Sequence, residues 1–352
     1  MTVSCGLTKN FTQLFIARMG VGAGEAGLTP PAYSIILDSF RPRHVGYAMS
    51  VYKLGVNVGA GLALVVGGVL YDYFAGLGSI VVPVLGELKP WQATIISVGL
   101  PGLILSLMLL TLREPSRKSL AEGPGKDSLH LPLRTVATFL WSRRRVYLTL
   151  FFGSSMMAMA GYGSAAWYPE FFVRTYGMSK SEAGASYGTI ILIAGSLGVM
   201  LGAWVASKLS DRGYTDAYVR TIFIGALLAI PLTISAPLAG DARLTLLILF
   251  PATLISASYM GVMAVAIVTI TPNQMRGQVT AVYIFVTNML GMAVGTSILA
   301  AFTDFLYKGD DSLHYSIATA NGLFYPIAAL LFWYCLPAYR RSAEETGKWK
   351  LG

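Results

Sequence analysis

Of the 352 residues, 55% are hydrophobic and only 12% are charged, and the mean hydropathy is +0.61. A soluble globular chain carries about twice that share of charge, so the composition excludes an ordinary soluble domain and indicates a polytopic helical membrane protein. The net charge of +9 raises nucleic acid as a partner, but the positions of the basic residues account for it, as shown below.

Met1–Leu7 reads as a short apolar remnant. With no basic start and no h-region in the first ten residues, no cleavable signal is expected. The apolar run Phe11–Ser39 is long enough to cross a bilayer, yet it contains Arg18, Glu25 and the pair Pro30-Pro31. Seven helical steps of about 100° return within roughly 20° of the start, which places Arg18 and Glu25 on one face about 10 Å apart along the axis. Glu25 is central in the run. A charge at that depth costs on the order of 2.5–3.5 kcal/mol and normally faces a partner or a water-filled cavity. The prolines lack amide donors and free the carbonyls of Ala26 and Gly27, and open backbone at membrane depth survives only inside protein or along a cavity. Two readings stand: the wall of a transport pathway, or a structural tie to a neighbouring helix. Gly22-x-Gly24-x-x-Gly27 matches a dinucleotide fingerprint, but no strand precedes it. Close helix approach through Gly20 and Gly24 explains the glycines better.

Further spans are expected near 45–75, 91–112, 146–173, 183–209, 219–238, 243–270, 277–305 and 315–337, giving nine full spans with the first. When successive loops are assigned to alternating sides, roughly three-quarters of the basic residues outside spans fall on one side, among them Arg113, Arg117, Lys118 and Arg143-Arg144-Arg145. That asymmetry predicts a cytoplasmic C-terminus, and nucleic acid is not needed as a partner. The segment Arg113–Arg145, with its Gly123-Pro124-Gly125 patch, has too few apolar residues for a core and reads as a linker. Cys5 and Cys335 give no disulfide framework. His44, His130 and His314 are too scattered for a zinc site.

An internal repeat supports two bundles. Aligning GYAMSVYKLGVNVG from Gly46 with GQVTAVYIFVTNML from Gly277 superposes Val51 on Val282, Tyr52 on Tyr283 and Asn57 on Asn288. Parallel repeats of this kind build two-bundle transporters.

These features carry a resemblance. The span ending in LREPSRK, the loop Ser207-Lys208-Leu209-Ser210-Asp211-Arg212-Gly213 and the half-repeat resemble the major facilitator superfamily. Arg18–Ala26, RMGVGAGEA, resembles the R-x-x-x-G-x-G-E-A signature on the fourth helix of its Spinster-like members, and Tyr168-Pro169-Glu170-Phe171-Phe172 also fits. The resemblance implies an all-α membrane protein with that twelve-helix fold, N-terminally incomplete here. Residues 1–112 are expected to form a partial N-terminal bundle, comprising a remnant of helix three and helices four to six. Residues 113–145 would be a cytoplasmic linker, 146–338 a six-helix C-terminal bundle, and 339–352 a cytoplasmic tail. The first G-x-x-x-D-R motif and the charged residues of the first helix have no counterpart in this sequence, and Ser207 stands where the family has glycine.

The resemblance also suggests roles. Glu25 resembles the proton-coupling carboxylate, opposed by Arg18; the two are too far apart on one helix to pair directly. Lys53 either snorkels to the surface or partners Asp38 or an anionic substrate group. Asn57 and Asn288 either bond between helices or line the cavity. Trp167 and Tyr168 belong to an interfacial belt or an outer gate. Asp211, beside Arg212, resembles the acidic residue that caps the positive helix end near Val45; the alternative is a plain helix-terminal pair. The function implied is proton-coupled secondary transport of a small organic or amphipathic, lysolipid-like solute by alternating access. The chain would work as a monomer in a plasma or bacterial inner membrane, driven by the proton gradient with no resident cofactor. A non-transporting fragment is the alternative. An intramembrane enzyme would need a nucleophile–base pair or metal ligands within spans, and the histidines sit in loops.

Overall fold

In a bilayer every backbone polar group must be satisfied internally, and a chain this apolar meets the demand with helices. The computed structural model describes residues 1–26, 32, 35, 42–78, 80–82, 86–109, 111 and 132–349, nearly all of them helical. The helices are α1 (Thr2–Gly6), α2 (Phe11–Ala26), α3 (Pro42–Gly76), α4 (Pro90–Leu109), α5 (Leu133–Ser142), α6 (Arg144–Tyr176), α7 (Lys180–Asp211), α8 (Ala217–Leu238), α9 (Ala242–Ile270), α10 (Arg276–Tyr307) and α11 (Leu313–Trp349). A small antiparallel hairpin pairs β1 (Ile80–Val82) with β2 (Gly86–Leu88), Ile80 opposite Leu88.

Among the described residues seven helices are long and apolar enough to cross a membrane: α4, the Val58–Gly76 part of α3, and α7 to α11. The expected nine is not reached by this measure. Helix α2 has 16 described residues, and most of the rest of its expected span lies outside the described ones. Helix α6 is long enough at 33 residues, but its glycines, serines and tyrosines lower its hydropathy. Helix α5 falls inside the segment read as linker. Too few apolar residues for a core do not preclude one amphipathic surface helix.

The chain divides into two compact units, Met1–Pro124 with Ser179–Thr189, and Gly125–Met178 with Ile190–Gly352. The division cuts α7 just before a π-helical turn, Ile191–Gly195. In the first unit α1 packs on α4, where Gln92 Nε2 donates to the Thr8 carbonyl at 2.9 Å. The start of α7 lies on α3 through small residues: Gly184 abuts the Leu64 carbonyl and Gly188 that of Gly61. The Asp72 carboxylate accepts the Ser181 N–H at 2.7 Å, satisfying one of the donors a helix start leaves unpaired. Lys180 Nζ sits 4.2 Å over the Tyr71 ring.

The second unit has a core of large side chains, with Leu150, Phe171, Phe172, Met263, Ile267 and Phe332 among those fully buried. Helices α7 and α9 meet through Gly198 against the Leu254 carbonyl and Gly202 against the Ser258 carbonyl, with no room for a Cβ at either. Gly202→Ala is therefore expected to force the backbones apart and cost about 1–3 kcal/mol. Gly161→Ala, in open space on α6, should leave stability nearly unchanged. Melting of the detergent-solubilised variants checks this contrast. Equal melting temperatures would mean that α7 and α9 do not depend on the close approach.

Candidate functional site

The two charges singled out in the first long apolar run both lie on α2. Arg18 and Glu25 are exposed, seven residues apart on a helix whose flanking residues Ile16, Met19 and Val21 are apolar. Their spacing puts them on one face, about two turns apart. Glu25 is the penultimate residue of α2. Pro30, Pro31 and Asp38 lie outside the described residues. Lys53 and Asn57 are on α3, but their side chains are outside the described ones.

In the second unit Asn288 stands immediately before a π-helical turn, Met289–Gly295. Such turns recur at functional positions because they widen the helix and re-aim its side chains. The turn is seated on α6: a Cβ at Gly295 would come within 2.6 Å of the Met159 carbonyl, and one at Gly291 within 2.9 Å of Ala158 and Tyr162. Tyr162 Oη donates to Asn288 Oδ1 at 3.2 Å. Of the two readings of Asn288, the interhelical hydrogen bond is therefore present, and the side chain is exposed as well. Tyr162 belongs to a group of tyrosines that the sequence analysis did not bring together. Tyr259 lies within electrostatic reach of Tyr162, Tyr283 and Tyr325, and Tyr325 Oη donates to Ser256 Oγ at 2.8 Å. Each comes from a different helix, so only the tertiary fold brings them together.

Trp167 is half-buried and its Nε1 donates to the Thr296 carbonyl at 3.1 Å, a second tie between α6 and α10. Tyr168 is 2% exposed. Its ring packs against Phe171 and Phe172 with centroids 5.8 and 6.2 Å away, so it is a core residue of the second unit. Asp211 and Arg212 end α7 and are exposed. The side chains at the helix end near Val45, the expected partner of Asp211, lie outside the described ones.

The structure places a different acidic residue in a buried network. Asp216, at the start of α8, has a side chain 1% exposed. Its carboxylate accepts from Arg220 Nε at 3.2 Å, from a second Arg220 nitrogen at 3.1 Å and from Arg340 Nε of α11 at 2.7 Å. Burial alone would raise the Asp216 carboxyl, but the hydrogen bonds and charges of Arg220 and Arg340 outweigh it and hold the group below its ordinary value. The Tyr214 ring lies 4.3 Å from the Arg220 guanidinium, within cation–π range. Only the Asp216-x-x-x-Arg220 spacing signalled this site in the sequence, and it resembles any exposed helical pair.

Helical bundles with an internal repeat, charges on one face of an apolar helix and π turns near polar side chains describe a membrane transporter fold. The sequence profile of the Major Facilitator Superfamily matches residues 1–296. The chain is 25% identical over 353 aligned positions to an MFS-type efflux pump of Mycolicibacterium smegmatis, covering 99% of this chain and 76% of that protein. It is 26% identical over 314 positions to Protein spinster homolog 3 of Danio rerio, covering 85% of this chain. Its fold matches the crystal structure of a bacterial homolog to the human lysosomal transporter Spinster, inward-facing and unoccupied, with a TM-score of 0.73 at 23% identity, over 99% of this chain and 81% of that one. The chain belongs to the Major Facilitator Superfamily and is of the Spinster-like type. It is a multi-pass membrane protein whose relatives are transporters. It spans 60% of the length of the Danio rerio relative.

Proposed function

We propose that the chain acts in secondary active transport, moving a small organic or amphipathic, lysolipid-like solute across the membrane by alternating access, coupled to protons. The observation that carries this reading is α2: a guanidinium and a carboxylate, both exposed on one face of an apolar helix, an arrangement whose cost only a polar pathway or a partner offsets. The relatives named above, an efflux pump and Spinster proteins, support transport as the activity. In this reading Glu25 loads and releases the proton and Arg18 balances its charge. Lys53, Asn57 and Asn288 contact solute along the pathway, the last beside the tyrosine group. Asp211, Arg212 and Trp167 act in gating, whereas Tyr168 contributes as packing behind Trp167. Residues 113–145 link two bundles, and the C-terminus is cytoplasmic.

The test is proteoliposomes loaded with a pH-sensitive dye and challenged with a panel of lysophospholipids, sphingoid bases and organic acids. At least one solute class should evoke a protein-dependent proton flux together with its own accumulation. Accumulation indifferent to the pH gradient would reject proton coupling. If no member of the panel accumulated, the transport reading itself would fall.

A further inference from the structure

Helix α5 divides its surface three ways. At about 100° per residue, Val136 and Phe139 point into the second unit; Val136 is 3% exposed, and the Phe139 ring lies 5.6 Å from that of Tyr147. Leu133, Ala137 and Trp141 follow one another at four-residue steps and are all exposed, Leu133 to 76% and Trp141 to 67%. On the third side Arg134, Thr135, Thr138 and Ser142, with Met275 and the edge of Phe139, line an open cavity of about 470 Å³. The Thr138 and Ser142 hydroxyls donate to carbonyls of their own helix at 2.9 and 2.8 Å, and such rotors turn to a better acceptor when one is present.

The helix ends at Arg143, whose backbone leaves the helical region (φ −113°, ψ 27°), and α6 begins at the next residue. An exposed strip of Leu, Ala and Trp on a short helix joined directly to α6 belongs in the headgroup boundary, where Trp is favoured. The charges beside it are positive. Arg143 is engaged with Glu345 at 2.8 Å, whereas Arg134 and Arg144 are exposed, Arg144 lying 5.5 Å over the Trp141 ring. An occupant of this face must carry an anion for the cavity side and hydrocarbon for the adjacent strip. A phospholipid carries both in one molecule.

We propose that α5 lies in the headgroup layer of the membrane and that its cavity takes the phosphate of an anionic phospholipid through Arg134, Thr135, Thr138 and Ser142, with the acyl chain along Leu133, Ala137 and Trp141. The proposal stands whether or not the transport reading holds. Each basic residue near an anionic surface contributes about 1 kcal/mol, or roughly fivefold in affinity.

The experiment places the full chain in nanodiscs containing phosphatidylglycerol or phosphatidylcholine with brominated acyl chains. The Trp141 signal is the difference between the chain and its Trp141→Phe variant. Brominated phosphatidylglycerol should quench that signal at lower mole fraction than brominated phosphatidylcholine. Arg134→Gln should weaken the preference about fivefold, and Arg134→Lys should retain most of it. Native mass spectrometry of phosphatidylglycerol bound to the chain and to Arg134→Gln gives a readout independent of fluorescence. Equal quenching by the two lipids, or an unchanged preference in Arg134→Gln, would overturn the site. So would equal numbers of bound phosphatidylglycerol molecules in the native mass spectra of the chain and of Arg134→Gln.

Discussion

Glu25→Gln is expected to abolish gradient-driven accumulation while leaving solute exchange in place. The amide keeps the shape of a protonated carboxyl but cannot release a proton, so every cycle runs with the same charge on α2. A carrier coupled to one proton sustains about tenfold accumulation across a gradient of about one pH unit, equivalent to about 1.4 kcal/mol. Without coupling the ratio falls to about unity, the limit set by exchange alone. The measurement is uptake into liposomes with and without an imposed gradient, alongside counterflow of labelled solute. Accumulation undiminished in Glu25→Gln would remove Glu25 from coupling and leave the charges of α2 with a structural role. Loss of counterflow together with accumulation would indicate that Glu25 binds solute instead.

The second large effect is on stability and resides at Asp216. Removing one partner of a fully buried ion pair costs about 3–5 kcal/mol. Here the arginine side chains are 27% and 46% exposed, so water recovers part of the loss. About 1–3 kcal/mol is expected for Asp216→Asn, lowering the melting temperature by about 2–10 °C. The pH dependence follows from the sign of the shift. Because the folded carboxyl is held below its ordinary value, its stabilising contribution is complete above the unfolded value, about 3.9. It disappears as the pH falls through the folded value. The parent chain should therefore lose stability on acidification below about pH 4 by an increment that Asp216→Asn lacks. Parallel acid profiles for the two proteins would show that the network contributes nothing.

Much of the helical layout was legible because hydropathy measures what the bilayer demands of a segment. The spans expected near 45–75, 219–238 and 243–270 correspond to Pro42–Gly76, Ala217–Leu238 and Ala242–Ile270. Helix α11 shows the limit. Its apolar part ends near Pro337, yet the helix continues to Trp349. Two polar contacts, Arg340 with Asp216 and Glu345 with Arg143, anchor that last stretch. Hydropathy cannot detect a partner on another helix, and Asp216 escaped notice for the same reason. Arg18 and Glu25 stood out because isolated charges in an apolar run are costly wherever they point. The tyrosines around Tyr259 did not, since a tyrosine in a span is unremarkable until its neighbours are known. Helix α5 was hidden by a criterion suited to domains: one face bearing Val136 and Phe139 suffices to seat a surface helix.

The π turn at Ile191–Gly195 limits how α7 can change in length. A π turn accommodates one residue more than the α-helix around it. Deleting a single codon there would leave a continuous α-helix of nearly unaltered hydropathy. Every later side chain would keep its face, because the residue removed is the one the π turn holds in excess. Gly184 and Gly188 abut carbonyls of α3, and Gly198 and Gly202 abut carbonyls of α9. Each glycine pair would then keep the seat it has, whereas the same deletion in the α-helix on either side of the turn would swing the residues beyond it by about 100°.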